Sequence, residues 1–176
     1  MDPFTQAFEI MQEIELQKEG TIFLPKYITN AVKNGDLKKI NTFNVEQLNS
    51  KSNVYSPSGK PLIFDALYGF RSCEVLQIMI NKGVNVNCVD SGFPNRSPLM
   101  QAVISGRFEE IKILVEAGAD LSFNGNWNDG DMPQTIIGNA LFRKRYDVVE
   151  YLKEKGAKYL PNEETIIKKY HSENKW

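Results

Sequence analysis

The chain has two cysteines, Cys73 and Cys88, and one histidine, His171. That set is too small for a disulfide framework or a Cys/His zinc site, so neither stapling nor metal binding has a candidate. A single imidazole in a charged tail, with no companion cysteine or patterned serine, leaves nucleophilic catalysis without a base. His171 therefore reads as a surface residue and the chain as no enzyme. Basic residues form no block: 21 are spread against 22 acidic ones for a net charge of −1, which argues against a nucleic-acid partner. No stretch approaches the ~18 apolar residues of a membrane span. Glu9, Glu13, Glu15 and Glu19 stand where a signal peptide would need positive charge and an apolar run. These absences point to a monomer in a reducing, cytoplasmic setting, with no cofactor, no metal and no membrane partner.

What is present is repetition. With 176 residues, 41% of them hydrophobic, the chain suits one continuous apolar core. Lys60-Pro61-Leu62-Ile63-Phe64-Asp65-Ala66 recurs as Ser97-Pro98-Leu99-Met100-Gln101-Ala102-Val103 and, degraded, as Thr135-Ile136-Ile137-Gly138-Asn139-Ala140-Leu141. Each copy is followed by an apolar run closed by glycine, at Gly83, Gly118 and Gly156, the pattern of a helix ended by a left-handed C-cap. Ile111, Leu114 and Val115 fall on one helical face that a lone hairpin cannot bury, so neighbouring copies must cover one another. A weaker copy runs from Ile28 to Ile40, which makes four.

This order of submotifs resembles the ankyrin family, whose consensus runs Thr-Pro-Leu-His, Ala-Ala, Gly-His, a Leu-Leu helix, then Gly-Ala-Asp. Gly118-Ala119-Asp120 and Gly156-Ala157 match it directly. The resemblance covers residues 24 to 160 and implies an all-α solenoid of helix-turn-helix hairpins with extended loop fingers. Repeats are expected at 24–58, 59–94, 95–132 and 133–160. The histidine position of the motif holds Ile63, Met100 or Gly138, so hydrogen bonding at the first helix must differ there. Residues 1–23 are expected to cap the first repeat, with Phe4, Phe8 and Met11 on one helical face, although Met1 to Thr5 has the look of a vector-derived leader. Residues 161–176 are expected to cap the other end, with Asn162 starting a helix through Ile166, Ile167 and Tyr170.

Chemistry-bearing groups elsewhere are sparse. Glu109 and Glu110, like Glu163 and Glu164, are adjacent and point apart on a helix, so they read as solvated faces. The stretch Asn124 to Asp131 lacks the closing glutamate of a calcium loop and the lysine of a phosphate loop. Cys73 aligns with Phe108 and Tyr146 and reads as core; Cys88 aligns with Phe123 at a loop start.

The family grips partners with loop tips and with the two positions after the Ala-Ala pair. Carried over, those positions are Lys33 and Asn34, Leu67 and Tyr68, Ile104 and Ser105, Phe142 and Arg143. Leu67, Tyr68, Ile104 and Phe142 would form an apolar stripe, which on a solvent face usually marks an interface. At the loop tips, Phe93 and Arg96 (with Asn95), and Asn126, Trp127 and Asp129, add aromatic and polar contacts; tryptophan is enriched at binding hot spots. The resemblance thus implies a non-enzymatic protein-binding module. Its partner is expected to be one protein that it inhibits, as an immunity protein does a bacterial toxin. The alternative is an adaptor or host-directed effector with several partners.

Overall fold

The computed structural model describes residues 26–52, 60–90, 95–125 and 133–173. The expected N-terminal capping helix over 1–23, and Phe93, Asn126, Trp127 and Asp129 in the loop tips, lie outside them. The chain divides into two compact units, Met1–Lys82 and Gly83–Trp176.

In the first unit, helices α1 (Lys26–Lys33) and α2 (Leu37–Thr42) form one hairpin, α3 (Val45–Asn49) follows, and α4 (Leu62–Tyr68) with α5 (Ser72–Asn81) forms a second hairpin. α1 packs on α4 and α2 on α5, so hairpin stacks on hairpin. The apolar faces close into a core of Ile28, Val32, Ile40, Leu48, Leu62, Phe64, Leu76 and Met79, each with 1% exposure or less. α3 begins with a reciprocal capping box, in which Asn44 accepts from the Gln47 N–H and Gln47 from the Asn44 N–H. A two-residue antiparallel pair, β1 (Lys51–Ser52) and β2 (Lys60–Pro61), forms the base of a finger.

The second unit repeats the scheme with α6 (Pro98–Ile104) and α7 (Phe108–Glu116), then α8 (Ile136–Phe142) and α9 (Tyr146–Glu154), and ends in α10 (Glu163–Glu173). α6 packs on α8, and α10 packs on α8 as well. Ser97 and Thr135 cap their helices by accepting from the N–H groups three residues on, Met100 and Gly138. Isolated bridges Asp90–Arg96 and Asn124–Thr135 close the bases of two more fingers. The glycines that end the second helices have φ between 84° and 95°, the left-handed cap that the sequence predicts.

Neighbouring copies are also joined by a side chain. Asn87 donates to the Gly118 carbonyl at 3.1 Å and accepts from the Asp120 N–H at 2.8 Å.

Several expectations about individual residues are corrected. Cys73 is half-buried, because the core positions of α5 are Val75, Leu76 and Met79. Glu110 is buried beside Arg107 at 3.1 Å, while Glu109 is exposed and pairs with Lys112. Glu163 is also buried. Its carboxylate accepts from the N–H groups of Gln134, Thr135 and Leu160 and from the Thr135 hydroxyl, tying α10 to the finger before α8. The motif's histidine position beside it is Gly138, and the missing side chain leaves the space that this carboxylate fills.

Candidate functional site

In the first unit the candidate surface lies at the end of α4. Leu67 was expected to face solvent, but it is 1% exposed and belongs to the core. The reason is a shift of one residue in where the helix starts. Ser97 caps α6 with its hydroxyl, so Pro98 is the first helical residue there. Lys60 has no such acceptor, the cap position falls to Pro61 instead, and α4 starts at Leu62. Leu67 therefore takes the place of the buried Val103 and Leu141.

Tyr68 is the outward residue, 52% exposed, with the Lys60 ammonium 5.2 Å from its ring centroid. Phe70, which the sequence reading did not single out, is 72% exposed. In the turns of the other hairpins the left-handed residue is the second one, Gly35, Gly106 or Lys144; here it is the third, Arg71, at φ 56°. Phe70 then donates its N–H to the Lys33 carbonyl at 2.8 Å, and its ring is left in solvent. An aromatic where the other copies carry glycine or lysine was the signal available in the sequence. Beneath this edge Asp65 is buried, with Lys60 at 3.4 Å and Lys33 at 3.7 Å from one carboxylate oxygen. Asn34 is exposed in the α1–α2 turn.

In the second unit, Ile104 is half-buried and Ser105 exposed. Ser105 accepts from the Gln101 side-chain amide at 2.9 Å, and Gln101 accepts from Arg96 at 2.8 Å. Arg143 is half-buried and donates to Asn139 at 3.1 Å. Burial, then the charge of Arg96 nearby, lowers its pKa from the usual arginine value.

Phe142 was expected in an open stripe; instead Tyr170 of α10 lies 5.2 Å from its ring. His171, expected at the surface, is half-buried with Nε2 3.0 Å from the Phe142 carbonyl, where an Nε2–H donates to that oxygen. The expected stripe thus reduces to Tyr68 in the first unit and a half-buried Ile104 in the second. The second unit also holds a cavity of about 630 Å³, lined by Asn124, Thr135, Lys158 and Tyr159 among others. No group of three or more potential metal ligands occurs among the described residues, and none of their helices is long and apolar enough to cross a membrane.

Comparison with known proteins agrees with this architecture. A 70-residue stretch, 40% of the chain, is 39% identical to BRCA1-associated RING domain protein 1 of Caenorhabditis elegans, and it spans 9% of that relative's length. The family model for ankyrin repeats in three copies matches residues 62–163, which takes in the last three hairpins and leaves α1 and α2 outside. With hairpins stacked on hairpins, left-handed glycine caps and paired finger bases, the chain belongs to the ankyrin-repeat family, an all-α repeat fold that serves protein–protein interaction.

Proposed function

We propose that this protein binds and inhibits one protein partner, in the manner of an immunity protein that neutralises a toxin of its own cell. The observation that carries the reading is the exposed pair Tyr68 and Phe70, held at the edge of a packed hairpin. Two rigid aromatics in solvent have a reason when a partner covers them, and aromatic anchors dominate binding hot spots. In this reading the four hairpins act as four repeats, and the second unit offers contacts of its own through Ile104, Ser105, Arg96 and Arg143. The protein works in the cytoplasm, monomeric until its partner arrives, and a reducing compartment suits its two cysteines, Cys73 and Cys88.

The test is capture from the source lysate, followed by titration calorimetry with the purified partner. One partner bound one-to-one, and bound at least tenfold more weakly by Tyr68→Ala/Phe70→Ala with an unchanged melting midpoint, is the expected result. Several partners of moderate affinity would favour an adaptor. Capture unaffected by the double variant would remove this edge as the site.

A further inference from the structure

In the second unit α7 and α9 end in the same turn. Gly118 donates its N–H to Val115 and Ala119 to Leu114; one copy later Gly156 donates to Lys153 and Ala157 to Leu152. Both glycines are left-handed, at φ 84° and 95°. The Gly118 carbonyl and the Asp120 N–H therefore have direct counterparts in the Gly156 carbonyl and the Lys158 N–H. The carboxamide of Asn87 bridges the first pair.

In the next copy the residue in the Asn87 position is Ser122. The two are seated alike, since the Asn87 N–H donates to the Asn85 side chain and the Ser122 N–H to the Asp120 side chain, each at 2.8 Å. Serine ends where the carboxamide of asparagine begins, and the Ser122 hydroxyl turns back onto the Asp120 carboxylate at 2.7 Å. Among the described residues no hydrogen bond is made to the Gly156 carbonyl or by the Lys158 N–H. In place of the second bridge stands the cavity of about 630 Å³, whose lining includes Asp120, Ser122, Gly156 and Lys158. That size is typical of a ligand cleft.

The open pair selects by chemistry. A carboxylate can accept from the Lys158 N–H but has no hydrogen for the Gly156 carbonyl, and Asp120 on the same wall repels it. An ammonium donates and accepts nothing. A hydroxyl offers both roles from one atom, whereas the Asn87 bridge uses two. We infer that this cavity receives an asparagine or glutamine side chain of the protein partner, its carboxamide bridging the Gly156 carbonyl and the Lys158 N–H. The inference rests on the protein-binding reading above and names the chemistry of one contact.

The test is a titration of the ¹⁵N-labelled full chain with acetyl-Gly-Asn-Gly-N-methylamide, followed by amide NMR spectra. The Lys158 amide is expected to shift downfield progressively, at least threefold further than with the aspartate or serine analogue of the peptide. Ser122→Asn supplies the carboxamide from within the chain, so its melting midpoint is expected to rise and its Lys158 amide to stop responding. Asn87→Ala opens the earlier pair, and its Asp120 amide is expected to respond in turn. An unmoved Lys158 amide, equal shifts with the aspartate or serine peptide, an undiminished response in Ser122→Asn or a silent Asp120 amide in Asn87→Ala would overturn the inference. Partner capture that depends on Tyr68 and Phe70 while the Lys158 amide stays unmoved would overturn it alone and leave the protein-binding reading standing.

Discussion

A Cβ built on Gly138 would stand 2.5 Å from Oε1 of Glu163, 25 positions later in the chain. The carboxylate cannot step aside cheaply, because it accepts two backbone N–H bonds from the finger before α8, a third from Leu160, and the Thr135 hydroxyl bond. Gly138→Ala is therefore expected to cost about 1–3 kcal/mol, the scale of overpacking a filled interior. Glu163→Gln should cost about 1.5–3 kcal/mol, since it weakens charge-assisted bonds and turns an amide donor toward other donors. The double variant should cost less than the sum, and urea unfolding of the three variants measures the difference.

Leu67 and Tyr68 are neighbours with opposite roles. Leu67→Ala should destabilise by about 2–5 kcal/mol, as a cavity in a packed core does. Tyr68→Ala should leave the unfolding midpoint nearly unchanged and weaken partner binding by about 2 kcal/mol. Thermal unfolding and calorimetry separate the two, and a large stability loss for Tyr68→Ala would show its ring to be structural.

The Tyr159 hydroxyl is buried without a hydrogen-bond partner. Burial, followed by the charges of Glu164, Glu163 and Glu150, pushes its pKa up to about 12 from 10.0. A group whose folded pKa is raised contributes stability that is fully present below its unfolded value and lost as pH rises through the folded one, here between pH 10 and about 12. Tyr159→Phe removes both the orphan hydroxyl and this titration. It should be as stable as wild type or more so at pH 7, and lose less stability than wild type between pH 10 and 12 in denaturant titrations.

Gly106 and Lys144 occupy the same left-handed place in successive turns, at φ 70° and 57°. At Gly106 a Cβ would lie 2.5 Å from the Arg145 guanidinium, which donates to the Gly106 carbonyl at 2.7 Å. Gly106→Ala should cost about 1–2 kcal/mol from backbone strain, plus any weakening of that bond. Lys144→Gly relieves the strain but frees the unfolded chain, so it should raise the melting midpoint only slightly. Differential scanning calorimetry of both variants checks the opposite signs.

The number and order of the last three hairpins were legible in the sequence because each second helix ends in a glycine whose φ no other residue adopts as easily. Leu67 was misplaced because the sequence aligns Pro61 with Pro98, whereas the chain starts its helices by which residue can cap them, and Ser97 caps where Lys60 cannot. Phe142 looked solvent-facing because its cover, Tyr170 and His171, belongs to a helix whose docking no local pattern encodes. Glu163 was read as solvated for the same reason: its bonds to Gln134 and Thr135 span 29 and 28 residues, and only the empty place at Gly138 hinted at them.

Asn87 joins its copy to the next through a carbonyl and an N–H of the main chain, at Gly118 and Asp120. Such a clasp is indifferent to the side chains it meets. Recombination could therefore duplicate, delete or exchange a copy without rewriting this joint, provided the incoming copy keeps its glycine turn. The two bonds leave the surface residues of each copy free to diverge.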